Sequence, residues 1–187
     1  MIAGPVLLLG LLLVAAVALY VLRRFESLAA ILASGLSAVI AVALWRLPLT
    51  VPTILAGRPV HLGRPFTWED ISLQVSPASR ALLVFLFATA AVTFILAWRT
   101  YQGRTFYPFG MLLLAIWGAV VMLQPLTYTP MAVVLAAVLS VFLIQAGKAG
   151  ETHGAWRQLL YPTLAVPLFL IASWYIDQAP LNPDDQD

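Results

Sequence analysis

Between Gln124 and Lys148 the chain reads QPLTYTPMAVVLAAVLSVFLIQAGK, and inside those ends the phenol of Tyr128 is the sole ionisable side chain. At about 1.5 Å per residue, the run from Thr129 to Gly147 covers roughly the 30 Å of a bilayer's hydrocarbon layer. Its start is marked by Pro125 and Pro130, which lack backbone donors and bias the residues before them away from the helical region. This pattern predicts a membrane helix entered through a tight, proline-marked turn. It also raises a question, because helices that move ions usually carry a buried charge.

The same pattern extends over the whole chain. Its 187 residues are 62% hydrophobic and 10% charged, which is too little charge for a water-facing surface around one soluble core. Six apolar segments are long enough to span: Ile2 to Leu22, Ser27 to Trp45, Ala78 to Trp98, Tyr107 to Leu123, Thr129 to Gly147 and Trp156 to Ile176. Tyr20, Trp45, Trp98, Tyr101, Tyr107, Tyr128, Trp156, Trp174 and Tyr175 fall at or near segment ends, where amphipathic rings sit among headgroups. No Lys or Arg precedes the first run, which ends at Arg23 and Arg24, so it reads as a retained span rather than a cleaved signal peptide.

The expected fold class is therefore an all-α integral membrane protein with six transmembrane helices. Residues 1–177 form one domain and residues 178–187 an acidic, flexible tail. Arg23, Arg24, Arg99, Arg104, Lys148 and Arg157 fall in loops on one side of this layout, and Arg46, Arg58, Arg64 and Arg80 in one long loop on the other. Basic residues are retained on the cytoplasmic side, which places both termini outside. In the long loop, Ile71, Leu73 and Val75 alternate with Ser72, Gln74 and Ser76 at the period of a strand. A small β-hairpin is expected there, turning at Gly63 onto a partner around Val60 to Leu62.

The composition excludes several functions. The net charge of +2 is spread among apolar runs, which argues against nucleic-acid binding. With no cysteine and two distant histidines, His61 and His153, no metal or cofactor site is expected. His153 lies beside Glu151, an acid–base pairing weighed against the plainer reading of a solvated loop histidine. No nucleophile and base stand at a suggestive spacing, so no catalytic site is assigned.

No acidic or basic residue lies at the middle of a predicted span, and the deepest polar groups are the hydroxyls of Ser34, Ser37, Thr89, Thr93, Ser140, Thr163 and Ser173. Ala30, Ser34 and Ala38, and again Ala132, Ala136 and Ser140, recur every four residues. They form either close-packing stripes or the accident of an alanine-rich chain. Pro162 and Pro167 are expected to bend or locally unwind the sixth helix, either as a packing kink or as the lining of an ion path.

The order of these features resembles the N-terminal six-helix portion of the antiporter-like, proton-translocating membrane subunits of respiratory complex I and of multisubunit cation/proton antiporters. The resemblance is carried by DISLQVSPASRALLVFL, by RTYQGRTFYPFGMLLLAIWGAVVMLQPLTYTPMAVVLAAVLSVFLIQAG and by GAWRQLLYPTLAVPLFLIASWYI. It implies a membrane subunit of an NADH dehydrogenase-like or cation/proton antiporter complex, with the bilayer and other membrane subunits as partners and the bacterial plasma membrane as location. That family carries a glutamate in its fifth span. Laying Ser140 to Leu143 on the family's motif puts the glutamate at Val134, and the partner lysine would fall beyond Asp187. The resemblance therefore implies either a fragment of such a subunit or a short relative that keeps the scaffold without the pump. The alternative is a stand-alone carrier or channel for a small solute.

Overall fold

The computed structural model describes residues 2–47, 53–55, 58–69, 71–100, 103–124, 128–145 and 152–178. Six helices dominate these residues: α1 (Gly4–Val21), α2 (Glu26–Arg46), α3 (Pro77–Trp98), α4 (Phe106–Met122), α5 (Thr129–Gln145) and α6 (Thr152–Gln178). Each overlaps a segment predicted from hydropathy. Three of them, α1, α2 and α3, are long and apolar enough to cross a membrane, and α4, α5 and part of α6 are shorter apolar helices. Of the acidic tail only Gln178 is described, as the last residue of α6.

Local sequence explains where the helices begin. Ser76 caps α3 by accepting from the Ser79 amide at 3.1 Å, while the Ser76 amide donates back to Ser79 Oγ at 2.8 Å. Pro77, the first helical residue, supplies a preset φ where no amide partner is needed. Glu26 in the first turn of α2 and Arg46 in its last oppose the partial charges of the helix ends. Gly103, at φ 89°, turns the chain from α3 into α4.

Among the described residues, six short strands fasten one end of the helices. β2 (Thr53–Leu55) and β3 (Arg58–His61) form an antiparallel hairpin, and β1 (Ile2–Ala3) adds to β3 in parallel. β4 (Phe66–Trp68) and β5 (Ile71–Leu73) form a second hairpin, which β6 (Leu123–Gln124) extends. These pairings put the start of α1, the end of α2, the start of α3 and the end of α4 at a common end, so the four helices alternate in direction.

The hairpin expectation thus needs correcting. Ile71 to Leu73 pairs with Phe66 to Trp68 rather than with residues around Val60, and Gly63 lies between the two sheets instead of at the turn. Trp68 faces Ile71, leaving a two-residue connection in which Glu69 adopts φ 52°. Two-residue hairpin turns favour such left-handed residues because they match the strand twist.

The core lies among α1 to α4. The two most extensive contacts are α2 on α3 and α1 on α4; α5 packs on α4, and α6 on α5. Leu12, Leu83, Phe87 and Met111 are fully buried. Where α3 hands over to α4, Phe94, Phe106 and Tyr107 meet with ring centroids 5.4 to 6.3 Å apart, largely edge to face. Val14, Val21, Phe85, Leu96, Met131 and Leu168 point outward and are exposed, so the helices are apolar on both faces.

Of the bend or local unwinding expected of the sixth helix, the unwinding does not occur, since α6 is helical without interruption from Thr152 to Gln178. A helix accommodates a proline when the carbonyl it frees finds another partner or the turn adjusts locally.

Candidate functional site: the polar positions of the helical core

On α2 the buried small face runs through Ala30, Ala33, Ser34, Ser37 and Ala41, while Ala38 of the predicted stripe is exposed. Ser37 replaces it because successive buried positions on this face step by three as well as four residues. Ser34 Oγ donates to the Ala91 carbonyl of α3 at 3.0 Å, a direct tie between the two helices. Ser37 Oγ donates to the Ala33 carbonyl one turn back at 2.8 Å and lies 4.0 Å from Met111 Sδ of α4.

On α5, Ala136 is buried, as is its neighbour Ala137, while Ala132 and Ser140 are half-buried. Ser140 Oγ donates to the Ala137 carbonyl at 2.7 Å, and Phe109 stacks on Phe142 where α4 meets α5. Val134, the position assigned to the family glutamate, is half-buried. On α6, Pro167 is exposed and Ser173 is buried, donating to the Leu170 carbonyl at 3.0 Å. Pro162 and Thr163 belong to this helix, but their side chains lie outside those described, as do those of Arg157 and His153. Glu151 and Lys148 are outside the described residues altogether.

A groove of about 300 Å³ runs over α4 between α3 and α5, lined by Phe85, Thr89, Thr93, Gly110, Trp117 and Leu143 among others. Its two hydroxyls are already used: Thr89 donates to the Phe85 carbonyl and Thr93 to the Thr89 carbonyl, each at 2.8 Å. The polar residues singled out from the sequence are therefore not gathered into one site. They are distributed along separate helix faces, and most satisfy themselves on their own helix.

Arg80 is the group whose role the sequence did not disclose. It stands half-buried in the first turn of α3, and its Nε donates 2.6 Å to the Leu44 carbonyl while a terminal nitrogen donates to the Trp45 carbonyl. It thereby closes the end of α2, whose last carbonyls have no partner within their own helix. A lone cation one turn into an otherwise apolar helix was the available signal; its target was not.

Among the described residues no three His, Asp or Glu side chains gather as metal ligands would. No family model, no curated protein and no solved structure matches the chain.

Proposed function

We propose that this chain is an integral membrane subunit with six spans and both ends of its helical domain on the outer face. In this reading it serves as a helical scaffold within a larger proton-translocating assembly of the antiporter-like, NADH dehydrogenase-like type in a bacterial plasma membrane. One observation carries the scaffold role: the described bundle interior holds hydroxyls bonded to backbone carbonyls, at Ser34, Ser37 and Ser173, and, among the described buried residues, no carboxylate, amine, guanidinium or imidazole to store a proton. The cationic ends of the helices fit the orientation, with Arg23, Arg24, Arg99 and Arg104 exposed opposite the strand-bearing end.

The purified protein, reconstituted alone in liposomes under an imposed pH gradient, is expected to leave the gradient as stable as in empty vesicles. Val134→Glu is expected to leave it equally stable, because a single half-buried carboxyl gains no partner and stays protonated. Extraction in mild detergent followed by native mass measurement is expected to recover the chain with other membrane subunits.

The groove beside Thr89 and Thr93 favours a second reading, a carrier for a weakly polar solute. Flux through the unmodified protein that disappears in Thr89→Val or Thr93→Val would establish it in place of the scaffold.

A further inference from the structure

Beside Arg80 lies a groove of about 270 Å³ lined by Trp45, Pro77, Arg80, Ala81 and Val84. Among the described residues, the hydrogen bonds of the Arg80 guanidinium go to two main-chain carbonyls, and no carboxylate neutralises it. A guanidinium offers five N–H donors, and the end of a helix carries only about half a unit of negative charge. Among the described residues, some of its donors therefore have no protein partner, and the side chain stands at a half-buried position. Trp45, which also lines the groove, is 68% exposed, as expected of a ring at headgroup depth. Arg46, the next residue, is also exposed. Along α3 the wall becomes apolar, through Ala81 and Val84.

We infer that Arg80, Trp45 and the Ala81–Val84 wall of α3 form a binding site for the phosphate group of an anionic membrane lipid. The guanidinium meets the phosphate with charge-assisted hydrogen bonds, Trp45 packs over the headgroup region, and the apolar wall takes the first carbons of an acyl chain. The wall is what selects a lipid over a free anion, since an inorganic phosphate gains nothing from Ala81 and Val84 and keeps its hydration in water. Occupancy also ties α2 to α3 at the strand-bearing end, because the cation that binds the lipid is the one that closes α2. The site rests on the membrane reading and is independent of any role in ion translocation; resistance of the membrane-bound protein to alkaline carbonate tests that reading separately.

The test is native mass spectrometry of the full chain in detergent with phosphatidylglycerol or phosphatidylcholine added at equal concentration. Phosphatidylglycerol is expected to be retained about fivefold to tenfold more strongly, the scale of one basic side chain acting on an anionic headgroup. Arg80→Gln should abolish that preference and Arg80→Lys should keep part of it, because the charge survives while the planar fork is lost. Arg80→Gln also removes the closure of α2, so Ala81→Trp, which fills the groove and leaves Arg80 bonded, provides a second variant. It too should abolish the preference. Equal retention of the two lipids overturns the site, as does a preference unchanged in folded Ala81→Trp protein. Displacement of phosphatidylglycerol by an equal concentration of inorganic phosphate overturns the lipid as its ligand.

Discussion

Replacing Gly4 by alanine and, separately, Gly10 by alanine should shift stability in opposite directions, although both glycines belong to the same apolar helix. A Cβ built on Gly4 would stand 2.7 Å from Leu62 Cα and 3.1 Å from the His61 carbonyl oxygen, whereas one on Gly10 meets nothing within 4 Å. The obstruction at Gly4 is backbone, pinned by the pairing of Ile2 with Val60 and Ala3 with His61, so it cannot swing aside as a side-chain tip would. Overfilling a contact of this kind costs about 1 to 3 kcal/mol. At Gly10 alanine only removes the entropic penalty of a mid-helix glycine, a gain of about 0.5 to 1 kcal/mol. The two variants should therefore differ by about 1.5 to 4 kcal/mol, roughly tenfold to several-hundredfold in the unfolding equilibrium. Titrating the protein from mild detergent into dodecyl sulfate, followed by far-ultraviolet circular dichroism, reads the difference directly. Equal midpoints for the two variants, or a Gly4→Ala protein more stable than the parent, would refute the close approach of Leu62 to the start of α1.

Three further outcomes follow from the packing. Ser34→Ala removes the hydrogen bond to the Ala91 carbonyl and should lower stability by about 0.6 kcal/mol, at most about 1.7, as is usual for polar ties between membrane helices; the same denaturant midpoint measures it. Ala136→Leu adds three carbons at a fully enclosed position on α5 and should cost about 1 to 3 kcal/mol, whereas Leu135→Ala on the exposed side should leave the midpoint nearly unchanged. Glu69→Gly relieves a left-handed backbone angle at the exposed turn between β4 and β5 and should be neutral or stabilising by up to about 1 kcal/mol, visible as slower amide exchange across the Phe66–Leu73 pair.

The candidate site was legible in the sequence mainly as an absence. The sequence places no acidic or basic residue midway along a predicted span. What the hydroxyls do was not legible, because an Oγ that bonds its own helix at Ser37 and one that crosses to a neighbouring helix at Ser34 look alike in sequence. The same holds for Arg80: snorkelling to the surface and closing a neighbouring helix both suit a cation near a helix end, and the choice depends on where α2 stops.

The sequence by itself determined the helices, because continuous apolar runs bounded by rings, prolines and arginines leave few other ways to satisfy the backbone in an apolar setting. Hence the predicted ends of α1 to α4 lie within a few residues of the observed ones. The sequence marked buried faces only through its stripes of small residues, and on α2 Ala30 and Ser34 are buried while Ala38 is exposed. An amphipathic helix announces its inner face by contrast with a polar outer one, and here both faces are apolar, so shape complementarity decided that Ser37 is enclosed and Ala38 is not. Only the tertiary structure decided the strand partners. β1 reaches β3 and β6 reaches β5 from far along the chain, and their short segments carry too few residues to specify a register before the helices bring them together.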